Sequence, residues 1–105
     1  MSRRFHSVAV DVLNWASEKG ILRASNPTVQ LSKTLEECAE VLRELASPDP
    51  DMSALESEYG DVLVTLIIGM DMAGVSPEEA LETAYAKISK RSGYMKGGVF
   101  VKDGD

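Results

Sequence analysis

The sequence contains very few cysteine, histidine and aromatic residues. One cysteine, one histidine and 6% aromatic residues occur among its 105 residues. A single thiol, Cys38, cannot form an intramolecular disulfide, which favours a reducing compartment. Zinc sites use thiolates and imidazoles, and di-iron helical bundles need histidines beside their glutamates. Neither kind of metal centre is expected in this chain.

Basic residues and long apolar runs are also scarce. The chain has 11 Lys and Arg residues against 17 Asp and Glu residues, a net charge of −6. This balance argues against a nucleic-acid polymer as partner, because such binding needs a basic surface. The most apolar run, residues 62–70, is less than half as long as a membrane crossing requires, and the N-terminus does not resemble a signal peptide. We therefore expect a soluble, cytoplasmic protein that binds neither a membrane nor a nucleic acid.

Two helices are predicted in the first half of the chain. The first covers residues 5–19, and Gly20 follows it as a stop signal. The second opens at Asn26, which can cap the helix, with Pro27 in its first turn. It ends at the proline-rich break of residues 47–51.

Two more helices are predicted in the second half. The third begins near residue 51 or 52 and continues to about residue 73, where Gly74 stops it. The fourth opens at Ser76, with Pro77 in the first turn, and continues to about residue 92.

The tail, at about residues 94–105, contains a β-prone piece at residues 99–101. Four helices joined by short connections predict an all-α, four-helix bundle-like fold with a short tail that is β-like or mobile. The length favours one domain over residues 1–105, with no room for a second.

Apolar patterning predicts self-association. The second helix carries an apolar stripe at spacings of four and three, and the third helix is apolar almost all round at residues 62–70. A helix of the latter kind must be covered on more than one side. We expect a homodimer or homotetramer, the alternative being a well-buried central helix in a monomer. The stripe consists of Leu31, Leu35, Cys38, Leu42 and Leu45.

The second helix also carries a run of glutamates. Glu36, Glu37 and Glu40 are close in sequence, and Glu44 adds a fourth carboxylate that we expect to be solvated. Like charges one turn apart repel by roughly 0.2–0.5 kcal/mol per pair on an isolated helix. A salt-bridged, solvated face is therefore one interpretation of this run, and a cation site is the other.

A second acidic pair favours the cation site. Glu58 and Asp61 are three residues apart on the third helix, and Asp61 adjoins the apolar run. A carboxylate there is costly to desolvate unless a positive charge meets it, and no cation is near in sequence. If the helices pack antiparallel, this pair and the pair Glu37 and Glu40 can converge into four oxygen ligands. Such a set suits Mg²⁺, with Mn²⁺ as a substitute.

The order of these acids resembles a known family. The pattern E-E-x-x-E begins at Glu36 and is followed, after 17 residues, by E-x-x-D ending at Asp61. Together with "NPTVQLSKTLEECAEV" and the later "AKISKR", it resembles the MazG-like all-α nucleotide pyrophosphohydrolases over roughly residues 5–95. The short "SPDPD" connection departs from the family in leaving little room for a substrate loop.

The resemblance implies an enzyme that uses Mg²⁺ to hydrolyse nucleoside triphosphates between the α and β phosphates. The products would be a nucleoside monophosphate and pyrophosphate, and the role would be control of the nucleotide pool. The alternative is a catalytically silent helical bundle that serves oligomerisation or binds nucleotides as a regulator. The resemblance makes Glu37, Glu40, Glu58 and Asp61 the metal ligands.

Basic residues are candidates for binding the substrate phosphates. Lys33 and the late pair Lys87 and Arg91 match basic positions of the family. Lys87 and Arg91 are four residues apart on the predicted fourth helix and would share a face, where they could clamp phosphate oxygens. An ordinary solvated helix end is the other interpretation of this pair.

Three further residues have two interpretations each. Glu36 is either the general base that orients the attacking water or the ion-pair partner of Lys33. Gln30 either contacts the base of the nucleotide or is simply solvated. Trp15 either stacks on that base or belongs to the core.

Overall fold

The chain forms five helices and one β-hairpin within residues 3–104, the part described by a computed structural model. This agrees with the all-α prediction and its β-like tail. The helices are α1 (Phe5–Glu18), α2 (Ile21–Ala24), α3 (Pro27–Leu45), α4 (Met52–Met72) and α5 (Pro77–Ile88), and the strands are β1 (Gly93–Lys96) and β2 (Val99–Lys102).

Side-chain caps start three of the helices. Asn26 Oδ1 accepts a hydrogen bond from the Val29 amide at 2.9 Å, and Ser76 Oγ accepts one from the Glu79 amide at 3.2 Å. Both caps, each followed by a first-turn proline, are confirmed. Asp51 caps α4 in the same way. Each cap satisfies a backbone donor that has no partner inside its helix.

Two features of the helices differ from the prediction. The short helix α2 follows Gly20, whose φ of 80° permits an abrupt change of direction. Four residues are too few to show helical periodicity, so α2 was missed. The last helix ends at Ile88 rather than near residue 92, because the chain turns at residues 89–90 and then enters β1. Arg91 therefore lies outside the helix.

The tail folds into an antiparallel hairpin in which Met95 pairs with Phe100. Gly97 and Gly98 connect the strands, both with positive φ, as a type I′ turn requires. Gly93 is covered by the Phe100 ring, since a Cβ there would lie 2.8 Å from Phe100 Cε2. The strand predicted at residues 99–101 is confirmed, whereas β1 was not predicted.

The chain divides into two compact units, one ending at Val75 and the other beginning at Ser76. In the first unit α3 packs along α4, α1 packs on α4, and α2 packs on α1. The second unit contains α5 and the hairpin. The assignment of one domain to residues 1–105 stays a prediction. No single helix within residues 3–104 is long and apolar enough to cross a membrane; α4 and α5 pass that test only when counted together.

The core of the first unit is small. The buried apolar side chains of the described residues are Ala16, Val41, Leu55, Ile67 and Ile68. The apolar stripe of α3 does not contribute to this core: Leu35 is 65% exposed and Leu42 is 67% exposed. Instead α3 buries Thr34 and Val41.

Two contacts fix the register of α3 against α4. Thr34 Oγ1 donates a hydrogen bond to Thr65 Oγ1 at 2.8 Å, and one turn away Gln30 lies against Gly69. A Cβ at Gly69 would be 3.2 Å from the Gln30 Cβ, which is tighter than ordinary van der Waals contact. The two helices are thus antiparallel: moving one residue toward the C-terminus of α3 corresponds to moving one residue toward the N-terminus of α4.

The two interior glycines of α4 provide a matched test of this contact. Gly69→Ala should lower the melting temperature, because the Gln30 Cβ is fixed to the backbone and cannot rotate away. Gly60→Ala should raise it, since a Cβ there meets nothing within 4 Å and alanine is favoured over glycine in a helix by about 1 kcal/mol. Thermal unfolding followed by circular dichroism measures both. Equal effects of the two substitutions would contradict the close approach at Gly69.

Candidate active site

The register of α3 and α4 brings the two acidic pairs to the same position along the helix axes. Extending it from the Thr34–Thr65 contact places Glu37 opposite Val62 and residue 41 opposite Glu58. The pair on α3 and the pair on α4 are therefore level to within about one residue, or roughly 1.5 Å along the helix axes. The sequence predicted this juxtaposition. The four residues are Glu37, Glu40, Glu58 and Asp61.

Glu58 is in an unusual electrostatic position. Its Oε2 atom is buried and has no hydrogen-bond partner among the described residues. Desolvation raises the pKa of this carboxyl group, and the neighbouring charges of Glu44, Glu40 and Asp61 raise it further. An isolated buried carboxylate is unfavourable in its charged form. Glu58 thus has a carboxylate oxygen with unused hydrogen-bonding capacity.

Arg43 is the cation that helix packing brings to Glu58. Its Nη1 atom lies 3.6 Å from Glu40 Oε1, and its charge lowers the pKa of Glu58, against the other influences. The expectation that no local cation serves Glu58 and Asp61 was wrong for Glu58, because helix packing brings α3 residues beside α4. Arg43 compensates the acids only in part, since the pKa of Glu58 is still raised.

The adjacent glutamates Glu36 and Glu37 have different surroundings. The Glu37 side chain is 18% exposed, with Oε1 3.8 Å from Lys33 Nζ. The Glu36 side chain is 70% exposed and lies 3.4 Å from the same nitrogen. The ion pair considered for Glu36 is present. Glu37 faces inward because an adjacent residue on a helix is rotated by about 100°.

Glu44 joins the end of α3 to the start of α4. Its Oε2 atom accepts a hydrogen bond from the Asp51 amide at 3.0 Å, and Asp51 in turn caps α4. The expectation that Glu44 is merely solvated was wrong. It closes the connection between the helices and also contributes to the negative field at Glu58.

The acids fit a hard divalent cation in some respects but do not enclose one. All the candidate donors are carboxylates, the ligands that Mg²⁺ prefers, and Glu58 has a buried oxygen without a partner. Within residues 3–104, however, no three His, Cys, Asp or Glu side chains lie close enough together to hold a metal ion. The predicted convergence into one four-ligand cluster is therefore not present, although the donors are of the right kind and at the same height.

Trp15 borders a groove between α1 and α4 that Asp61 also lines. The indole is 47% exposed, so the interpretation of Trp15 as a core residue was wrong. An ion pair at 2.6 Å between Arg3 and Asp11 lies in the wall of the groove. The groove has a volume of about 390 Å³ and is lined by Arg3, Val8, Asp11, Val12, Trp15, Asp61 and Val64.

The remaining predicted residues lie elsewhere. Gln30 Nε2 donates to Ser25 Oγ at 3.0 Å, which ties α3 to the segment after α2. Lys87 is in the last turn of α5, in the second unit. Arg91 follows the helix, with its amide bonded to the Ile88 carbonyl at 3.1 Å. The prediction that Lys87 and Arg91 share a helical face was wrong, because α5 ends at Ile88.

Sequence reasoning also missed Thr34 and Thr65. Their hydroxyl groups form the hydrogen bond between the two acid-bearing helices. A signal was available, since Thr34 precedes Glu37 by one turn and Thr65 follows Asp61 by one turn. Threonine is not a usual metal ligand, so the pattern of acids does not point to these two residues.

An all-α chain with level acidic pairs on two antiparallel helices belongs to the class of helical proteins with carboxylate-lined sites. The family model of the MazG nucleotide pyrophosphohydrolase domain matches residues 25–95, well over half of the chain, and the chain belongs to this family. Searches of curated proteins and of solved structures returned no match. Membership supports nucleotide pyrophosphohydrolase activity in general, and enzymes of this family generally depend on a divalent metal.

The raised pKa of Glu58 predicts a pH-dependent stability. The folded state keeps the Glu58 proton at pH values where the unfolded chain, with a pKa near 4.5, has released it. Stability should therefore fall as the pH rises through the interval between the two pKa values. In buffer without divalent cations, Glu58→Gln should raise the melting temperature at neutral pH and have little effect near pH 4.

Glu56→Gln is the matched control, because Glu56 is exposed on the same helix. Melting temperatures of both variants and the wild type, recorded across this pH range, check the prediction. A Glu58→Gln protein that is less stable than the wild type at neutral pH would contradict it.

Proposed function

We propose that the protein is a Mg²⁺-dependent pyrophosphohydrolase of nucleoside triphosphates, including deoxynucleoside triphosphates. It would cleave the bond between the α and β phosphates to give a nucleoside monophosphate and pyrophosphate, and so control the nucleotide pool. The observation that carries the proposal is the buried, unpartnered Glu58 oxygen beside the level acids of α3 and α4. Family membership supports the reaction class.

Electrostatics supports a cation as part of this site. The acids would repel a triphosphate, and a buried carboxylate without a partner is costly unless something positive meets it. Arg43 already pairs with Glu40 and leaves the pKa of Glu58 raised. A divalent cation would relieve both problems.

Glu37, Glu40, Glu58 and Asp61 are the residues we propose to hold Mg²⁺, or Mn²⁺ in its place. When bound, the ion would neutralise the triphosphate and make a bound water more acidic. The protein's own contribution is to hold the carboxylates of the two helices at the same axial position and to screen Glu37 and one oxygen of Glu58 from solvent.

Basic side chains would bind the phosphates beyond the metal. We propose Lys33 for this role because its ammonium group lies beside Glu37 on an exposed part of α3. Lys87 and Arg91 are proposed on their charge and their match to the family's late basic element. Their binding would not require a common helical face.

The nucleobase would stack on Trp15. The exposed indole and Asp61 line the same groove, so a base there would be near one of the proposed metal ligands. Gln30 was the other candidate for a base contact, and it has less support because its amide is engaged by Ser25.

We also propose that the chain self-associates as a homodimer or homotetramer. The leucines of α3 are exposed, as are Leu63 and Leu66 on α4, while the described residues include only five buried apolar side chains. Burying one such side chain contributes about 1.5–3 kcal/mol. A second copy of the chain would cover the faces that the first leaves open.

Pyrophosphate release from a panel of ribo- and deoxyribonucleoside triphosphates tests the activity. With Mg²⁺ we expect equimolar monophosphate and pyrophosphate from at least one nucleotide, and no product in EDTA. Release of inorganic phosphate and a diphosphate would instead mean β–γ cleavage and contradict the proposed reaction. Metal- and nucleotide-dependent thermal stabilisation without any release would favour a regulatory nucleotide-binding protein. The absence of both stabilisation and release would favour a silent bundle.

The neighbouring glutamates supply the internal control for this assay. Glu37→Gln should reduce turnover by at least about 100-fold, since even the loss of an outer partner of a metal ligand costs 10–100-fold. Glu36→Gln should retain near wild-type turnover, because its exposed carboxylate pairs with Lys33. A large loss in Glu36→Gln alone would instead assign the general base to Glu36.

Charge placed on the exposed leucine face tests the self-association. Leu35→Glu and Leu42→Glu should shift the mass measured by light scattering after size exclusion to that of the monomer. Thr28→Glu, at an exposed position near the start of the same helix, should leave the mass unchanged. A monomeric wild type, or variants that keep the wild-type mass, would contradict an interface on this face.

A further inference from the structure

We infer that Thr34 and Thr65 are positioning residues for the acidic site. Their hydrogen bond sets the axial register in which the carboxylates of α3 and α4 are level. This inference rests on the proposed function, since it assigns the threonines a part in cation binding, and it adds residues that neither the family match nor the pattern of acids identifies.

The two hydroxyl groups form a directed chain of hydrogen bonds. Thr34 Oγ1 donates to Thr65 Oγ1 at 2.8 Å, and Thr65 Oγ1 donates to the Val62 carbonyl at 3.1 Å, with the Asp61 carbonyl at 3.3 Å. The Thr34 side chain is thereby linked to the backbone of the residue that carries one of the proposed ligands. Thr34 is only 5% exposed, and it is the buried polar side chain of the described residues.

The hydrogen bond between Thr34 and Thr65 lies close to the acids along both helices, so it controls their relative axial position. Thr34 lies one turn before Glu37 on α3, and Thr65 lies one turn after Asp61 and two turns after Glu58 on α4. A slip of one residue between the helices would move one acidic pair by about 1.5 Å and turn it by about 100°. Metal–oxygen distances tolerate only about 0.2 Å, and Mg²⁺ needs nearly ideal octahedral geometry.

Apolar contacts alone would hold this register poorly. Val41 and Leu55 are buried apolar side chains, which pack by shape and can be accommodated at more than one axial offset, whereas the hydrogen bond between the two threonine hydroxyl groups can form at only one. A single buried polar residue fixes register in coiled coils for the same reason. The close approach of Gln30 to Gly69, one turn further along, brings the helices near enough for the hydroxyl groups to meet.

Valine substitutions separate this role from simple stabilisation. Valine has nearly the volume of threonine, and neither single change leaves a donor unpaired. In Thr65→Val the Thr34 hydroxyl can donate to the Gln30 carbonyl at 3.0 Å, and in Thr34→Val the Thr65 hydroxyl keeps the Val62 carbonyl. Both variants should therefore fold.

The experiment measures the half-saturating Mg²⁺ concentration twice, from thermal stabilisation and from triphosphate hydrolysis. Thr34→Val and Thr65→Val should each raise it by about 10-fold, the lower end of the effect of lost outer-shell partners. Thr34→Ser, which keeps the hydroxyl group, should restore a value close to that of the wild type. Thr83→Val, at an exposed position on α5, should change nothing.

The outcomes distinguish this inference from the proposed function. A wild type that is stabilised by Mg²⁺ and hydrolyses triphosphates, with valine variants of unchanged Mg²⁺ dependence, would overturn the positioning role and leave the function intact. A melting temperature lowered equally in the valine and serine variants, at constant half-saturation, would also overturn it. A wild type with neither response would overturn the proposed function and this inference with it.

Discussion

The close antiparallel contact between α3 and α4 is the constraint on which the candidate site depends. Gly69 lets the backbone of α4 approach Gln30, and at that separation the hydroxyl groups of Thr34 and Thr65 can form a hydrogen bond. The caps at Asn26 and Asp51 determine where the two helices start. Level acids follow from these local facts together, since the spacing within each helix is fixed by the α-helical repeat.

The same contact has an electrostatic cost. It places Glu58 beside Glu40 and Glu44 and leaves one of its oxygens buried without a partner. A purely structural helix pair would gain by having an apolar residue there, because a buried polar group left unpaired reduces stability. Natural proteins commonly accept such costs at functional sites. Enzymes of the family to which the chain belongs generally depend on a divalent metal, and a divalent cation is the kind of charge that would offset such a cost.

Local chemistry made much of the fold predictable, and non-local packing limited the rest. Asn26 and Ser76 mark helix starts because their side-chain oxygens accept a hydrogen bond from the amide three residues later. Gly97 and Gly98 permit the turn that pairs the predicted strand with an unpredicted one. The acidic pairs could be found by spacing alone. The exposure of the α3 leucines, the role of Arg43 and the early end of α5 depend on which face meets a neighbour. Apolar periodicity shows that a face is apolar and does not show what covers it.

The bond between Glu44 and the Asp51 amide closes the short connection between α3 and α4. All four candidate ligands consequently lie within a single helical hairpin, and no distant segment has to arrive before they are level. Contacts between residues that are close in sequence form quickly, because little loop entropy is lost in making them. The four candidate ligands can thus be brought together early in folding, independently of the tail. A helical hairpin that contains all four candidate ligands can keep them together while the sequence of the surrounding segments changes.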